Sequence, residues 1–219
     1  MQTTIRKIAQ DIPLSDLLNS CVWQQADVLD ICCYNWSDRD PDSLPRVRAE
    51  LLYSDAGLYA RYTVQEKTIR AVHFTPNDPV CQDSCVELFI SPDWRIYFNF
   101  ETNCAGTLLL FSGTERRNRI PVPLELRKDI DIVTSLASGV SVENQPCPPD
   151  GWKLAMRVPL ALFSRHTATD APCSGTQWKG NLYKCGDLLP EPHWASWAPI
   201  QTEKPDFHRP EFFGTFIFE

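Results

Sequence analysis

The chain has 219 residues, 43% hydrophobic, 22% charged and 11% aromatic, with 18 prolines and a net charge of −7. That length and mixture suit one sizeable folded unit and exclude an intrinsically disordered chain. An acidic chain with no basic run longer than Arg116-Arg117 is also a poor partner for nucleic acid, whose phosphates need clustered Lys and Arg. No apolar run approaches the ~20 residues of a membrane span, so no membrane partner is expected. The start, Met1 to Lys7, lacks the apolar centre of a secretory signal. The expected location is cytoplasmic, or extracytoplasmic if a leader has been trimmed away. The nine cysteines are scattered, with no C-x-x-C pair. An odd count without paired spacing points to free thiols packed as small hydrophobes and supports zinc only weakly.

In chain order, Leu14–Leu18 forms a short amphipathic segment, residues 23–36 an apolar stretch, and Ser37–Asp42 a polar loop. Residues 47–53 and 58–64 flank Ser54-Asp55-Ala56-Gly57 and predict a β-hairpin. Leu58, Ala60, Tyr62 and Val64 would face one way, with Tyr59, Arg61 and Thr63 opposite. A second hairpin joins residues 86–90 to 96–100 through Ser91-Pro92-Asp93-Trp94-Arg95. Burying Val86, Leu88, Ile90, Ile96, Phe98 and Phe100 in one core fixes its register to within an even slip. Pairing Leu88 with Phe98 sets Glu87 opposite Asn99.

Residues 107–111 read as a strand, residues 124–133 as an amphipathic strand, and residues 144–151 as a Pro-rich loop. Residues 152–158 alternate as a strand up to Pro159, and residues 160–163 suggest a turn of helix. A strand near Asn181–Asp187 leads into a proline-punctuated loop carrying His193, Trp194, Trp197 and His208, and Thr215–Glu219 closes the chain as a strand. Strand signals every ten or so residues, with no long helical period, predict an all-β, antiparallel sandwich or barrel. No repeat or linker divides it, so residues 1–219 are expected to form a single domain.

The face shared by Glu87, Asn99, Phe89 and Tyr97 offers a carboxylate, an amide and rings to a polyhydroxylated ligand. Sugars combine apolar C–H faces with a belt of hydroxyls, so an aromatic platform and planar polar groups recognise them. Trp194 or Trp197 would be the platform, Glu87, Asn99 and Arg95 the hydrogen-bonding groups, with Tyr97 and His193 beside them. The alternatives are an ordinary solvated face for the hairpin and a core plug for the tryptophans.

Val22-Trp23, Gly57-Leu58-Tyr59, Asp83-Ser84-Cys85-Val86-Glu87-Leu88-Phe89 and Tyr97-Phe98-Asn99-Phe100-Glu101 occur in an order that is familiar. Trp178, Asn181-Leu182-Tyr183-Lys184-Cys185, Trp197 and Phe207-His208-Arg209-Pro210-Glu211-Phe212-Phe213-Gly214 continue it. On these segments the chain resembles the family 9 carbohydrate-binding modules, within the wider DOMON-type group of jelly-roll or immunoglobulin-like sandwiches. The resemblance implies a β-sandwich that binds a mono- or oligosaccharide without catalysis, in carbohydrate catabolism. It also implies a sugar held between two tryptophans, with carboxylate, arginine and amide groups on its hydroxyls, and a structural calcium as the one cofactor. Trp197 sits where the late family tryptophan is expected. The segment before Asp83 carries Val80 and Cys81 in place of the other.

Four further functions are open, the last and blandest being a protein-interaction sandwich, since fold does not imply function. A DOMON-type haem-binding electron-transfer domain would need an axial ligand such as Met156, but its alternation with Trp152, Leu154 and Val158 puts it in the core. An accessory module of a glycoside hydrolase system is the second. The third is an enzyme built from His166, His193 and His208 with Asp187, Asp206 and Glu211, for which no nucleophile motif speaks.

Overall fold

The computed structural model describes residues 1–137 and 139–219. In its first half the strands are β1 (Gln2–Lys7), β2 (Val28–Asp30), β3 (Arg46–Tyr53), β4 (Gly57–Gln65), β5 (Thr68–Ala71), β6 (Cys85–Ser91), β7 (Tyr97–Asn103) and β8 (Leu108–Gly113). Then follow β9 (Arg119–Pro121), helix α1 (Leu124–Arg127), β10 (Asp131–Thr134), β11 (Val142–Pro146), β12 (Trp152–Pro159) and helix α2 (Leu160–Thr167). The chain ends with β13 (Gln177–Cys185), β14 (Trp194–Ser196) and β15 (Gly214–Phe218).

One curled sheet runs β10-β12-β4-β3-β1-β15-β13-β6-β7-β8-β9, with β2 added on β3 and β14 on β13, while β5 and β11 form a separate ribbon. Strand β1 joins the two layers. Its first half, Gln2–Ile5, pairs in parallel with Thr215–Phe218, and its last residues, Arg6 and Lys7, pair in parallel with Leu52 and Tyr53. The other pairings among the described residues are antiparallel. The layers close face to face on one core, in which Val86, Leu88 and Phe100 meet Leu58, Tyr62, Leu154 and Met156. The β-sandwich expected from the strand periodicity is the architecture found.

Alternation accounts for the faces. On β4, Leu58, Ala60, Tyr62 and Val64 enter the main core, while Tyr59 joins Trp23 in a satellite cluster. Arg61 grips Glu50 through two hydrogen bonds of 2.6 and 2.7 Å and lies over the Trp23 ring at 4.9 Å. Met156 is fully buried in the main core, as its alternation with Trp152, Leu154 and Val158 predicts.

Three expectations are corrected. Leu88 pairs with Phe100 and Ile90 with Phe98, a slip of two residues from the expected register that keeps both core faces. The turn decides it: Asp93 Oδ1 accepts from the backbone N–H groups of Arg95 and Ile96, and Trp94 takes a left-handed φ of 62°, which draws Ile96 into the loop. Residues 124–133 begin as helix α1 because Leu-Glu-Leu-Arg-Lys is a run of good helix formers behind Pro123, and strand starts only at Asp131. Residues 142–146 pair with β5 across a register shift, so strand intrudes into the Pro-rich loop, with Pro146 at its end.

Gly180 lies on β13 between β6 and β15. A Cβ there would run into the Phe216 ring and the Phe89 carbonyl, so the position requires glycine for close approach. Gly180→Ala should therefore lower stability by about 1–3 kcal/mol in urea unfolding, the usual cost of overpacking. Unchanged stability would show that the two strands separate easily.

Candidate saccharide pocket

Strands β6, β7 and β13 are buried on both faces. All seven residues of β6 and all seven of β7 are buried. The outer face is covered by residues 199–213, which set Ile200, Phe207 and Phe213 against Phe89, Tyr97 and Tyr183. Tyr183 stacks on Phe207 with ring centroids 4.2 Å apart, and its hydroxyl donates to the Phe207 carbonyl at 3.1 Å. His208 lies 4.9 Å from the Phe89 ring centroid, with Nδ1 2.9 Å from the Tyr97 hydroxyl. The C-terminal loop is thereby fastened across the sheet.

Where the cover stops, a cavity of about 180 Å³ remains, lined by Glu87, Glu101, Arg119, Trp194, Cys81, Cys185, Asp187, Asp206 and His208 with apolar neighbours. Its floor is acidic. Glu87 and Glu101 sit opposite each other on β6 and β7, and both are buried. Burial, then the charge of facing Glu101, holds the Glu87 carboxyl well above the usual range. Burial raises Glu101 to about 7, against the pull of Arg119 and of the Asn99 amide, which donates to Glu101 Oε1 at 2.8 Å. A carboxyl pair held above its ordinary range gains the capacity to donate to a hydroxyl group as well as accept from one.

The walls are basic and aromatic. Arg119 Nη1 is 3.5 Å from Glu101 Oε1 yet is buried without a hydrogen-bond partner among the described residues. Trp194 sits across β14 from Cys185 and is half-buried, and its indole N–H donates to Asp187 Oδ1 at 2.7 Å. That bond fixes the ring's nitrogen edge to Asp187, which also lines the pocket. At the mouth, Arg116 pairs with Asp206 at 3.6 Å.

Of the residues singled out in the sequence, Glu87 and Trp194 line this pocket. Asn99 braces Glu101 from within the sheet, and Tyr97 supports His208. Trp197 is corrected: it is 2% exposed in the main core, tilted on Phe216 and seated where Gly214 has no side chain. The core-plug reading therefore holds for Trp197, and the tryptophan that reaches the pocket is Trp194. Arg95 is corrected too, because it lies exposed on the tip of the β6–β7 hairpin, outside the pocket lining.

His193 is the third correction. It lines a separate recess of about 20 Å³, room for about one water molecule and not for a sugar. There it lies 3.0 Å from Lys184 Nζ, and Lys184 pairs with Glu66 at 3.0 Å, all three buried. Sequence reading missed Glu101 and Arg119 as site residues, and it named Asp187, Asp206 and His208, which line the pocket, only as candidates for an enzyme. Glu101 alone carried a signal, as the next outward position after Asn99.

A structural calcium needs a cage of oxygen donors. Asp83 Oδ2 accepts from the Val72 and His73 N–H groups and from Asn103, while Oδ1, 3.5 Å from Arg70 Nε, has no hydrogen-bond partner among the described residues. Among the described residues the potential ligand side chains that gather are Cys85, Glu87 and Cys185, a thiol-rich set that does not fit calcium.

A sandwich with a loop-covered pocket of carboxyl, guanidinium and indole groups defines a class of small-ligand binding modules. More narrowly, the chain belongs to carbohydrate-binding family 9, whose family model matches residues 16–218. A candidate carbohydrate-binding protein from Bacteroides uniformis ATCC 8492 is 33% identical with a TM-score of 0.87, over 100% of this chain and 99% of that one. A family 9 module from Caldicellulosiruptor kristjanssonii in complex with cellotriose has 14% identity and a TM-score of 0.67, over 100% of this chain and 94% of that one. Its complex with glucose gives 14% and 0.66, over 100% and 96%. At that identity these two show the shared fold. Among curated proteins no match was found.

The closing loop has a pH signature. Burial, reinforced by Arg119 and Arg116, depresses His208 from 6.5 to about 2. A histidine held neutral in the fold contributes stability that is full above the unfolded pKa and is lost as pH falls from about 6.5. Between pH 7.5 and 5 the native protein should lose up to about 2 kcal/mol more than His208→Gln, compared by urea unfolding at both pH values. Equal losses would place the imidazole in solvent.

Proposed function

We propose that this family 9 protein holds one sugar ring in the pocket, its C–H face on Trp194 and its hydroxyls on Glu87, Glu101 and Arg119. The observation that carries this reading is the juxtaposition, in one cavity lining, of a half-buried indole with a buried carboxyl pair and a guanidinium N–H that has no hydrogen-bond partner among the described residues. A cavity of about 180 Å³ is smaller than the roughly 300–1,000 Å³ of drug-sized sites and suits a single ring. Arg116, Asp206 and His208 also line an adjoining open groove with Arg117, Arg209 and Glu211, which supports room for a longer glycan outside the pocket.

In this reading the carboxyls, directly opposed on neighbouring strands, serve to bind hydroxyl groups. The protein in this reading retains saccharides for catabolism by separate hydrolases.

A glycan array followed by calorimetry, with glucose and cellotriose among the probes, tests this. Trp194→Ala should weaken binding by about 1–3 kcal/mol, roughly ten- to a hundredfold, by analogy with ring stacking on bases, with stability nearly unchanged. Trp197→Ala should instead cost about 3–5 kcal/mol of stability, the price of deleting a core aromatic. Sugar affinity that survives Trp194→Ala would sink the proposed platform.

A further inference from the structure

We propose that Cys85, Glu87 and Cys185 form a binding site for a thiophilic divalent cation of the zinc class in the floor of the pocket. Two Sγ atoms and a carboxylate oxygen lie within 4.8 Å of one another here, and all three residues are buried. The backbone produces this set. Cys85 and Cys185 are directly opposed in the β6–β13 ladder, and Glu87 follows Cys85 by two residues on the same face. The Cys185 thiol already donates to Glu87 Oε1 at 3.0 Å.

Zinc lies about 2.3 Å from thiolate sulfur and about 2.0–2.2 Å from carboxylate oxygen, so tetrahedral ligand atoms stand roughly 3.5–3.8 Å apart. Side-chain shifts of about an ångström would bring the three groups to that spacing. Their chemistry selects the ion, because two thiolates and one carboxylate suit zinc, cobalt or cadmium and not calcium or magnesium. Glu87 and Cys185 also line the cavity, so the fourth position faces it, beside Cys81 and Asp187. The site is thus of the open kind, with three protein ligands and one exchangeable position.

The proton balance is explicit. Binding one dication releases both thiol protons and any proton on Glu87 to water, leaving a complex of net charge −1 close to Arg119. A thiol that only fills space is represented in the same protein by Cys104, whose Sγ sits 3.4 Å from the Arg70 carbonyl with no carboxylate partner. Cys185 differs by donating to a carboxyl group, with the Cys85 sulfur within 4.8 Å of both.

The test titrates the full chain, kept reduced with a phosphine, with cobalt(II) alone and then displaces it with zinc. One cobalt per chain should bind with a thiolate-to-cobalt charge-transfer band in the near ultraviolet, and zinc should abolish the band. Cys85→Ser and Cys185→Ser should each lose most of the band and weaken binding at least about tenfold, whereas the exposed Cys21→Ser and Cys173→Ser should leave it intact. Circular dichroism checks the fold of each variant. If a serine variant fails to fold, Cys185→Ala and Glu87→Gln replace it, the former expected to lose band and affinity and the latter affinity alone. Absence of the band in the native protein, or its survival when both Cys85 and Cys185 are replaced, would overturn the proposal. No sugar enters this measurement, so its failure and the failure of the saccharide reading are separate results.

Discussion

Strands β6, β7 and β13 have no solvated face, and the rest of the molecule is arranged around that constraint. An antiparallel sheet ordinarily leaves one side to water. Here the inner side packs into the sandwich core, and the outer side carries Cys85, Glu87, Phe89, Asn99, Glu101 and Tyr183, all buried. Such a face cannot be left bare or simply greased over. Its rings need apolar cover and its carboxyl and amide groups need partners. The C-terminal loop supplies the cover over the aromatic half, and the pocket is what remains over the polar half.

Opposite faces of one strand keep unlike chemistries apart. On β13, Tyr183 and Cys185 face outward to the pocket side, while Lys184 between them points inward to Glu66 and His193. Trp152 closes the same cluster, its indole N–H donating to Glu66 Oε1 at 2.7 Å. Burying a charged pair is a net gain only when its hydrogen bonds are filled, and here Lys184 Nζ also donates to the Cys185 carbonyl at 2.9 Å. The two polar clusters are neighbours in sequence but are separated by the thickness of the sheet.

Much of this was legible in the alternation of side chains. The hairpin of β3 and β4, the pairing of β6 with β7, and the placing of Glu87, Asn99 and Tyr97 on one face follow from period-two patterning and the need for a single core. The register did not follow, because an even slip preserves every face. It was set by the local bonding of Asp93 and the left-handed turn at Trp94. Trp194 and Trp197 could not be told apart for a different reason. What separates them is contacts outside their immediate neighbours: Gly214 makes room for one ring, and Asp187 binds the indole N–H of the other. Arg119 reaches the pocket only through folding, and nothing in its local sequence marks it.

The parallel pairings of β1 have a kinetic meaning. The two layers are stitched by a strand at one end of this chain that pairs with β15 at the other. Loop closure over so long a separation comes late, since its entropic cost must be met before the contacts return anything. On a ribosome, the sheets would wait unjoined until β15 emerged. In the interval the β13 edge that later receives β15 would lie open, inviting strands from other chains. A nascent chain of this topology is thus most exposed to misassembly while β13 is made and β15 has yet to pair.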